Sequence, residues 1–349
     1  MAQAMDKKYY DSLSENDKLR LLTICLSGVE SPDSAMGCYA MHPNDYKDFK
    51  PFFQKALSQY HKVDLSVNSH KTNWDFKGAK GLPEDGKLDM TALGLEKVSM
   101  RVRTGRNLQK FPLPGSMTKD ERIKMEQEMK KVFDVLIADK NYGGKYVSIT
   151  PNHPNFINKE EYDSLVKQHI MFKDMSADKY LLAAGIAQDW PHGRGCYYSE
   201  DKGFIIWLGE EDHLRIMCMK TGTMLNEVFD RLKTAVDVVE KQIDGGCAKS
   251  DEYGVITSCP TNMGTGMRAS VHVKLPNLCK DGTEAKAVEV CKPMGLSVRG
   301  TGGEHTPIVG GVVDISPSAR FCISEAEIVI KLYHGIKDLM VKEKAAAAQ

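Results

Sequence analysis

From Leu95 onward the chain alternates short β-patterned runs with amphipathic helical stretches, and no other feature limits its fold as strongly. In EKVSMRVRTGR (96–106), Val98, Met100 and Val102 fall on one face of a strand, and Arg101 and Arg103 on the other. Residues 120–138 carry apolar side chains at 129, 132, 133, 136 and 137, which is helical spacing. Residues 204–208 and 213–219 read as two strands joined by the acidic turn Gly209-Glu210-Glu211-Asp212. Leu225, Val228, Phe229, Leu232, Val236 and Val239 mark a long helix, and 268–275 a further strand. A capping box, Ser324-x-x-Glu327, opens a C-terminal helix. Strands interrupted by helices, with hairpin-like turns, predict an α+β fold rather than a doubly wound parallel sheet.

Residues 1–80 read differently. A helix is expected over 11–28, capped by Ser12 or Ser14, and another over 44–60, with the turn-forming stretch GVESPDSAMG between them. The segment from His61 to Gly94 has little periodicity and many turn formers, and reads as a connection between domains. The expected organisation is a helical domain over 1–80, a linker over 81–94 and a larger domain over 95–349.

Charge narrows the function classes. With 47 Lys+Arg against 47 Asp+Glu, the overall field does not hold the chain to nucleic acid, although a local basic pocket stays open. No apolar run approaches a membrane span, and the polar N-terminus lacks a signal-peptide core, so a cytoplasmic protein is expected. Nine scattered cysteines without a CxxC pair fit a reduced thiol set.

Five arginines stand out: Arg101 and Arg103, Arg215, Arg268 (sharing a face with Ser270 and His272) and Arg299. Taken singly, a strand arginine is solvated or paired with a carboxylate. Together, at strand ends near glycines, five can converge on a polyphosphate, because guanidinium forks match phosphate oxygens. The acidic turn is either a solvated hairpin or a set of carboxylates that orients a cationic nucleophile and holds water around Mg²⁺. The loop Arg299-Gly300-Thr301-Gly302-Gly303-Glu304-His305-Thr306 is a plain hairpin or a lid that delivers Glu304. Cys259, in Ser-Cys-Pro-Thr-Asn, is a buried inert thiol or a polarised thiolate.

The segments CPTNMGTGMRASVHVKLPNL (259–278), WLGEEDHLRI (207–216), RVRTGR (101–106), WPHGRGCYY (190–198) and RGTGGEHT (299–306) resemble the phosphagen kinases, the ATP:guanidino phosphotransferases. Their order and spacing match from Ser27 to Lys342. The resemblance implies a small all-helical N-terminal domain and a larger C-terminal domain with an antiparallel sheet flanked by helices, the glutamine synthetase/guanidino kinase type. It implies a phosphate clamp of Arg101, Arg103, Arg215, Arg268 and Arg299, with His169, Ser270 and His272 on the adenine side. Glu211 and Glu304 match the pair that grips the guanidinium, and Cys259 the thiolate beside it. ATP or ADP is the implied co-substrate, with Mg²⁺ carried by the nucleotide and by water near Glu210 and Asp212. A monomer is expected.

The loop SPDSAMGCY (31–39) resembles that of arginine kinases at Asp33, Ser34, Gly37 and Tyr39. Amides at Ser34, Ala35 and Met36, with the Tyr39 hydroxyl, would then hold an amino-acid carboxylate, and Tyr60 and Glu304 also favour arginine. Three positions depart from the pattern. The methyl of Ala35 replaces a glycine, Gly302 stands where many arginine kinases have Arg, and Gly209 replaces an Asn, which is expected to loosen its turn. Taurocyamine or lombricine kinase is the alternative; a silent binding member of the family is a further one.

Overall fold

The computed structural model describes residues 1–301 and 308–347. Ten helices and ten strands lie among them. The helices are α1 (Lys7–Ser12), α2 (Glu15–Glu30), α3 (Asp45–Asp48), α4 (Lys50–His61), α5 (Lys119–Ala138), α6 (Lys159–Lys167), α7 (Lys179–Ala183), α8 (Leu225–Gln242), α9 (Ala285–Cys291) and α10 (Glu325–Ala346). The strands are β1 (Val98–Arg106), β2 (Lys145–Ser148), β3 (Gly195–Tyr198), β4 (Phe204–Leu208), β5 (Leu214–Gly222), β6 (Lys249–Ser250), β7 (Gly254–Val255), β8 (Met267–Lys274), β9 (Leu296–Gly300) and β10 (Val312–Pro317).

The chain forms two compact units, each discontinuous in sequence. The first comprises Met1–His70, Thr104–Ile216 and Val236–Gly266; the second comprises Lys71–Arg103, Met217–Ala235 and Met267–Gln349. Strands β1 and β5 carry residues of both, within an eight-stranded sheet of order β2-β3-β4-β5-β1-β8-β10-β9.

In the first unit, residues up to His61 are helical where they are regular. Ser14 caps α2 by accepting from the Asp17 amide, and Leu21, Ile24 and Cys25 are buried at helical spacing. Helix α5 starts at a capping box of Thr118 and Glu121, and its Phe133 stacks on Tyr146 of β2 and Tyr197 of β3, at 4.7 and 5.8 Å. Strands β2, β3 and β4 pair antiparallel, with Val147 opposite Cys196 and Tyr197 opposite Ile206. The helical start and the antiparallel sheet bear out the α+β reading.

In the second unit β10 lies between β8 and β9, both antiparallel to it. Helix α10, opened by the expected Ser324–Glu327 capping box, buries Ile328, Val329, Leu332, Ile336 and Leu339. The aperiodic stretch before β1 is anchored there. Trp74 and Phe76 pack on Phe229 with centroids at 5.4 and 4.8 Å, the Asn73 amide donates to the buried Glu325 at 2.8 Å, and Leu88 and Met90 are fully buried. Its lack of periodicity reflects anchoring by single side chains rather than by a regular face. No helix among the described residues is long and apolar enough to cross a membrane, and the nine cysteines are free thiols.

Candidate active site

In the first unit the loop at 257–262 is pinned on several sides. Tyr46 donates its hydroxyl to the Thr257 carbonyl at 2.9 Å, the Ala40 amide donates to the Ser258 carbonyl at 2.8 Å, and His61 Nε2 lies 2.9 Å from the Pro260 carbonyl. The loop ends in a single 3₁₀ turn, Pro260–Asn262, with proline at its first position. Cys259 is 5% exposed, with Sγ 3.1 Å from Thr261 Oγ1.

Burial, reinforced by the negative charge of Glu211, pushes the Cys259 thiol up to about 12, with the Thr261 hydroxyl acting the other way. Burial thus opposes ionisation of the sulfur, and a positive charge beside it would favour the thiolate.

The acidic turn is rigid. Gly209 has φ 75°, its amide donates to the His213 carbonyl at 2.9 Å, and its carbonyl accepts from Nε of the fully buried Arg194 at 3.0 Å. A Cβ there would lie 2.6 Å from the Gly193 oxygen and 2.9 Å from Arg194 Cγ. The expected loosening is thus corrected: the glycine is what lets the turn pack this closely.

Beyond Gly209 the three acids take different surroundings. Glu210 ion-pairs with Arg215 Nη1 through both oxygens, at 2.9 and 3.0 Å. Glu211 accepts from Asn262 Nδ2 at 2.8 Å and lies 3.9 Å from Arg215 Nη2. Asp212 turns inward, 1% exposed, and accepts from Asn107 Nδ2 and the Ser258 amide, both at 2.8 Å. Burial raises its pKa despite those bonds. Both bonds to Asp212 are accepted by Oδ1 in the protein interior, whereas Glu210 keeps partial exposure.

The loop at 31–39 sits on the end of α2. A Cβ on Gly28 would lie 2.4 Å from the Gly37 carbonyl oxygen, so the helix and loop backbones touch directly. The Ser34 amide is taken by the Ser31 carbonyl at 2.9 Å, and Ala35 is exposed while Met36 and Tyr39 are buried. Burial foremost, then the charges of Cys259 and Glu211, raises the Tyr39 pKa and keeps its hydroxyl a donor. Tyr60 is 45% exposed with its ring edge-on to His61, and His169 is exposed just past α6 with φ 60°. The first unit thus gathers Tyr39, Cys259, Glu211 and Arg215, and also carries Tyr60 and His169.

The second unit gathers the other arginines. Arg101 and Arg103 are half-buried on β1, alternating with fully buried Met100, Val102 and Thr104. Arg268 is buried and donates through Nη2 to Asp314 at 2.7 Å and through Nε to Ser316 Oγ at 3.1 Å. On β10, Asp314 lies in register with His272 of β8 and with Arg299 of β9, and its Oδ1 is 3.6 Å from His272 Nε2. Ser270 is buried on β8. Burial foremost pushes the Arg268 guanidinium down to about 9, and Arg299, Arg320 and Arg101 push the same way against Asp314. Like charges held this close give a strong local positive field.

Arg320 follows β10 without strand periodicity, so its place beside Arg268 was not readable from the sequence. Asn262 stands inside a motif that was read, but its partner Glu211 is 51 residues away. Glu304 and Gly302 lie outside the described residues. Among the described residues no three His, Cys, Asp or Glu side chains group as a metal site.

Two family models match: "ATP:guanido phosphotransferase, N-terminal domain" over residues 1–57 and "ATP:guanido phosphotransferase, C-terminal catalytic domain" over 124–346. The chain belongs to the ATP:guanido phosphotransferase family. This phosphotransferase is 38% identical over 317 residues to the arginine kinase Oct f 2 of Amphioctopus fangsiao, covering 91% of the chain and 85% of that protein. It is 35% identical over 348 residues to the arginine kinase of Limulus polyphemus, covering 98% and 92%. Among solved structures, the duplicated taurocyamine kinase of Schistosoma mansoni has a TM-score of 0.78 at 32% identity, and the match covers 93% of this chain and 43% of that one. Lombricine kinase gives the same TM-score at 29% identity, with 94% and 86% covered.

Proposed function

We propose that this phosphotransferase catalyses reversible transfer of the γ-phosphoryl group of MgATP to the guanidino group of L-arginine, giving phosphoarginine and MgADP. The observation that carries the reading is the first unit's cluster: a carboxylate held by Asn262, a buried thiol, and a tyrosine on the loop at 31–39. A guanidinium is a cation that suits such a cluster. The Tyr39 hydroxyl and the amides of Ala35 and Met36 suit an amino-acid carboxylate. The arginine kinases matched over nearly the whole chain support the same substrate.

In the reaction, Glu211 and Cys259 hold the planar guanidinium, with Glu304 as the second carboxylate. One nitrogen attacks the γ-phosphorus as the bond to the β,γ-bridging oxygen breaks, and the nitrogen's proton passes to a carboxylate oxygen. Arg101, Arg103, Arg268 and Arg299, with Arg215, take up the charge on the moving phosphoryl and the departing ADP. His169, Ser270 and His272 serve the adenine and ribose side. Mg²⁺ on the nucleotide neutralises phosphate charge, with Glu210 as the carboxylate that can hold its water.

A second reading, taurocyamine or lombricine as substrate, is favoured by the exposed methyl of Ala35 at the carboxylate end of the loop and by the structural neighbours. A coupled ADP-release assay over L-arginine, taurocyamine, lombricine, glycocyamine and creatine distinguishes the two. Highest kcat/KM on L-arginine is expected. Turnover only of a sulfonate or phosphodiester guanidine would overturn the first reading, and absence of turnover with every guanidine would point to the silent binding member.

A further inference from the structure

We propose that Asn262 is a positioning residue for phosphoryl transfer: its side-chain amide fixes the orientation in which the Glu211 carboxylate meets the guanidinium. This rests on the reading of Glu211 as the guanidinium ligand.

Asn262 is itself firmly held. It closes the 3₁₀ turn Pro260–Asn262, with its own amide donating to the Cys259 carbonyl at 3.0 Å and the Met263 amide donating to the Pro260 carbonyl at 3.2 Å. Both of these carbonyls are also held from outside the turn. His61 lies 2.9 Å from the Pro260 carbonyl, and Thr257 Oγ1 donates to the Cys259 carbonyl at 2.8 Å. From this support Asn262 Nδ2 reaches Glu211 Oε1 at 2.8 Å, the oxygen that Arg215 Nη2 approaches at 3.9 Å.

A glutamate's last torsion is broad and roughly two-fold, so an unrestrained carboxylate rotates almost freely in its plane angle. A guanidinium is planar and binds best to a carboxylate whose plane matches its own. The hydrogen bond from Asn262 to Oε1, with Arg215 on the same oxygen, restrains that torsion and so sets the plane of the carboxylate. A neutral amide suits the task. It donates a hydrogen bond without cancelling the negative charge, as a lysine or arginine at this position would.

The test is steady-state kinetics on the full chain with L-arginine and MgATP. Asn262→Asp keeps the shape but replaces the donor with a second carboxylate. The expected result is a kcat lowered by about tenfold or more, the loss typical of one hydrogen bond to a charged group. The KM for the guanidine should rise while that for MgATP stays within about twofold. In a Glu211→Gln background, where the glutamine amide can donate to the new carboxylate, the same substitution should change kcat less than about twofold. Where turnover is too slow to follow, the Kd of the guanidine is read instead. Asn262→Ala and Asn262→Ser, checked by circular dichroism and melting temperature, replace the aspartate variant if it does not fold, and the same split between the two KM values is expected. Wild-type kcat for these variants, or equal losses in both backgrounds, overturns the positioning role. Full activity of Glu211→Gln alone overturns the reading of Glu211 itself, so the two failures are distinct.

Discussion

The amide of Ser258 donates to the buried carboxylate of Asp212 at 2.8 Å, tying the residue before Cys259 to the residue after Glu211. The thiol and the carboxylate are therefore set by one shared anchor. Asp212→Ala would leave that amide without its acceptor, at a cost of about 1–3 kcal/mol, and Asn107 Nδ2 with only the Ile256 carbonyl. We expect a lower urea midpoint and a reduced kcat. A variant with the wild-type midpoint would mean the anchor is not structural.

Cys259 makes stability depend on pH in a definite direction. Its folded pKa, about 12, lies above the ordinary value of 9.0, so the folded chain holds the thiol proton to higher pH than the unfolded chain does. Its contribution is full below pH 9 and declines as pH rises towards 12. Subtracting the Cys259→Ala pH–stability curve from that of the wild type isolates this slope. In the same free enzyme, alkylation of Cys259 should speed up only at alkaline pH; rapid alkylation at neutral pH would contradict the buried, protonated thiol.

Arg268 is held at a cost that a bound polyanion would relieve. With Arg101, Arg299 and Arg320 pressing on it, MgADP or pyrophosphate should raise the melting temperature. Arg268→Ala should abolish most of that rise and weaken MgADP binding by about tenfold or more in isothermal titration. Because it also leaves Asp314 buried and unpaired by its arginine, unfolding should become easier by about 3–5 kcal/mol. Unchanged nucleotide affinity would remove Arg268 from the phosphate clamp.

Gly209 is constrained by both backbone angle and space. Gly209→Ala puts a Cβ at positive φ and within 2.6 Å of the Gly193 oxygen, so a loss of about 1–3 kcal/mol is expected in thermal unfolding. Since the turn carries Glu210 and Glu211, kcat should fall with it. A neutral substitution would restore the view of this turn as loose.

Much of the fold was legible from local pattern. The cap at Ser14, the capping box at Ser324 and the alternation of Met100 and Val102 with Arg101 and Arg103 are properties of neighbouring residues, and the structure reproduces them. The stretch 71–94 was legible only as aperiodic, because its anchors, Trp74 on Phe229 and Asn73 on Glu325, are lone contacts to distant elements.

The sequence by itself determined the family, many of the elements, and a set of arginines, carboxylates and one thiol as candidates for the site. Only the tertiary structure decided how each of them is set. It turned Asp212 inward, brought Arg320 beside Arg268, placed Asn262 on Glu211 and buried Cys259. The physical reason is range. Periodicity and capping act within a few residues, whereas burial and the partner of a charged group come from chain segments tens to hundreds of residues away.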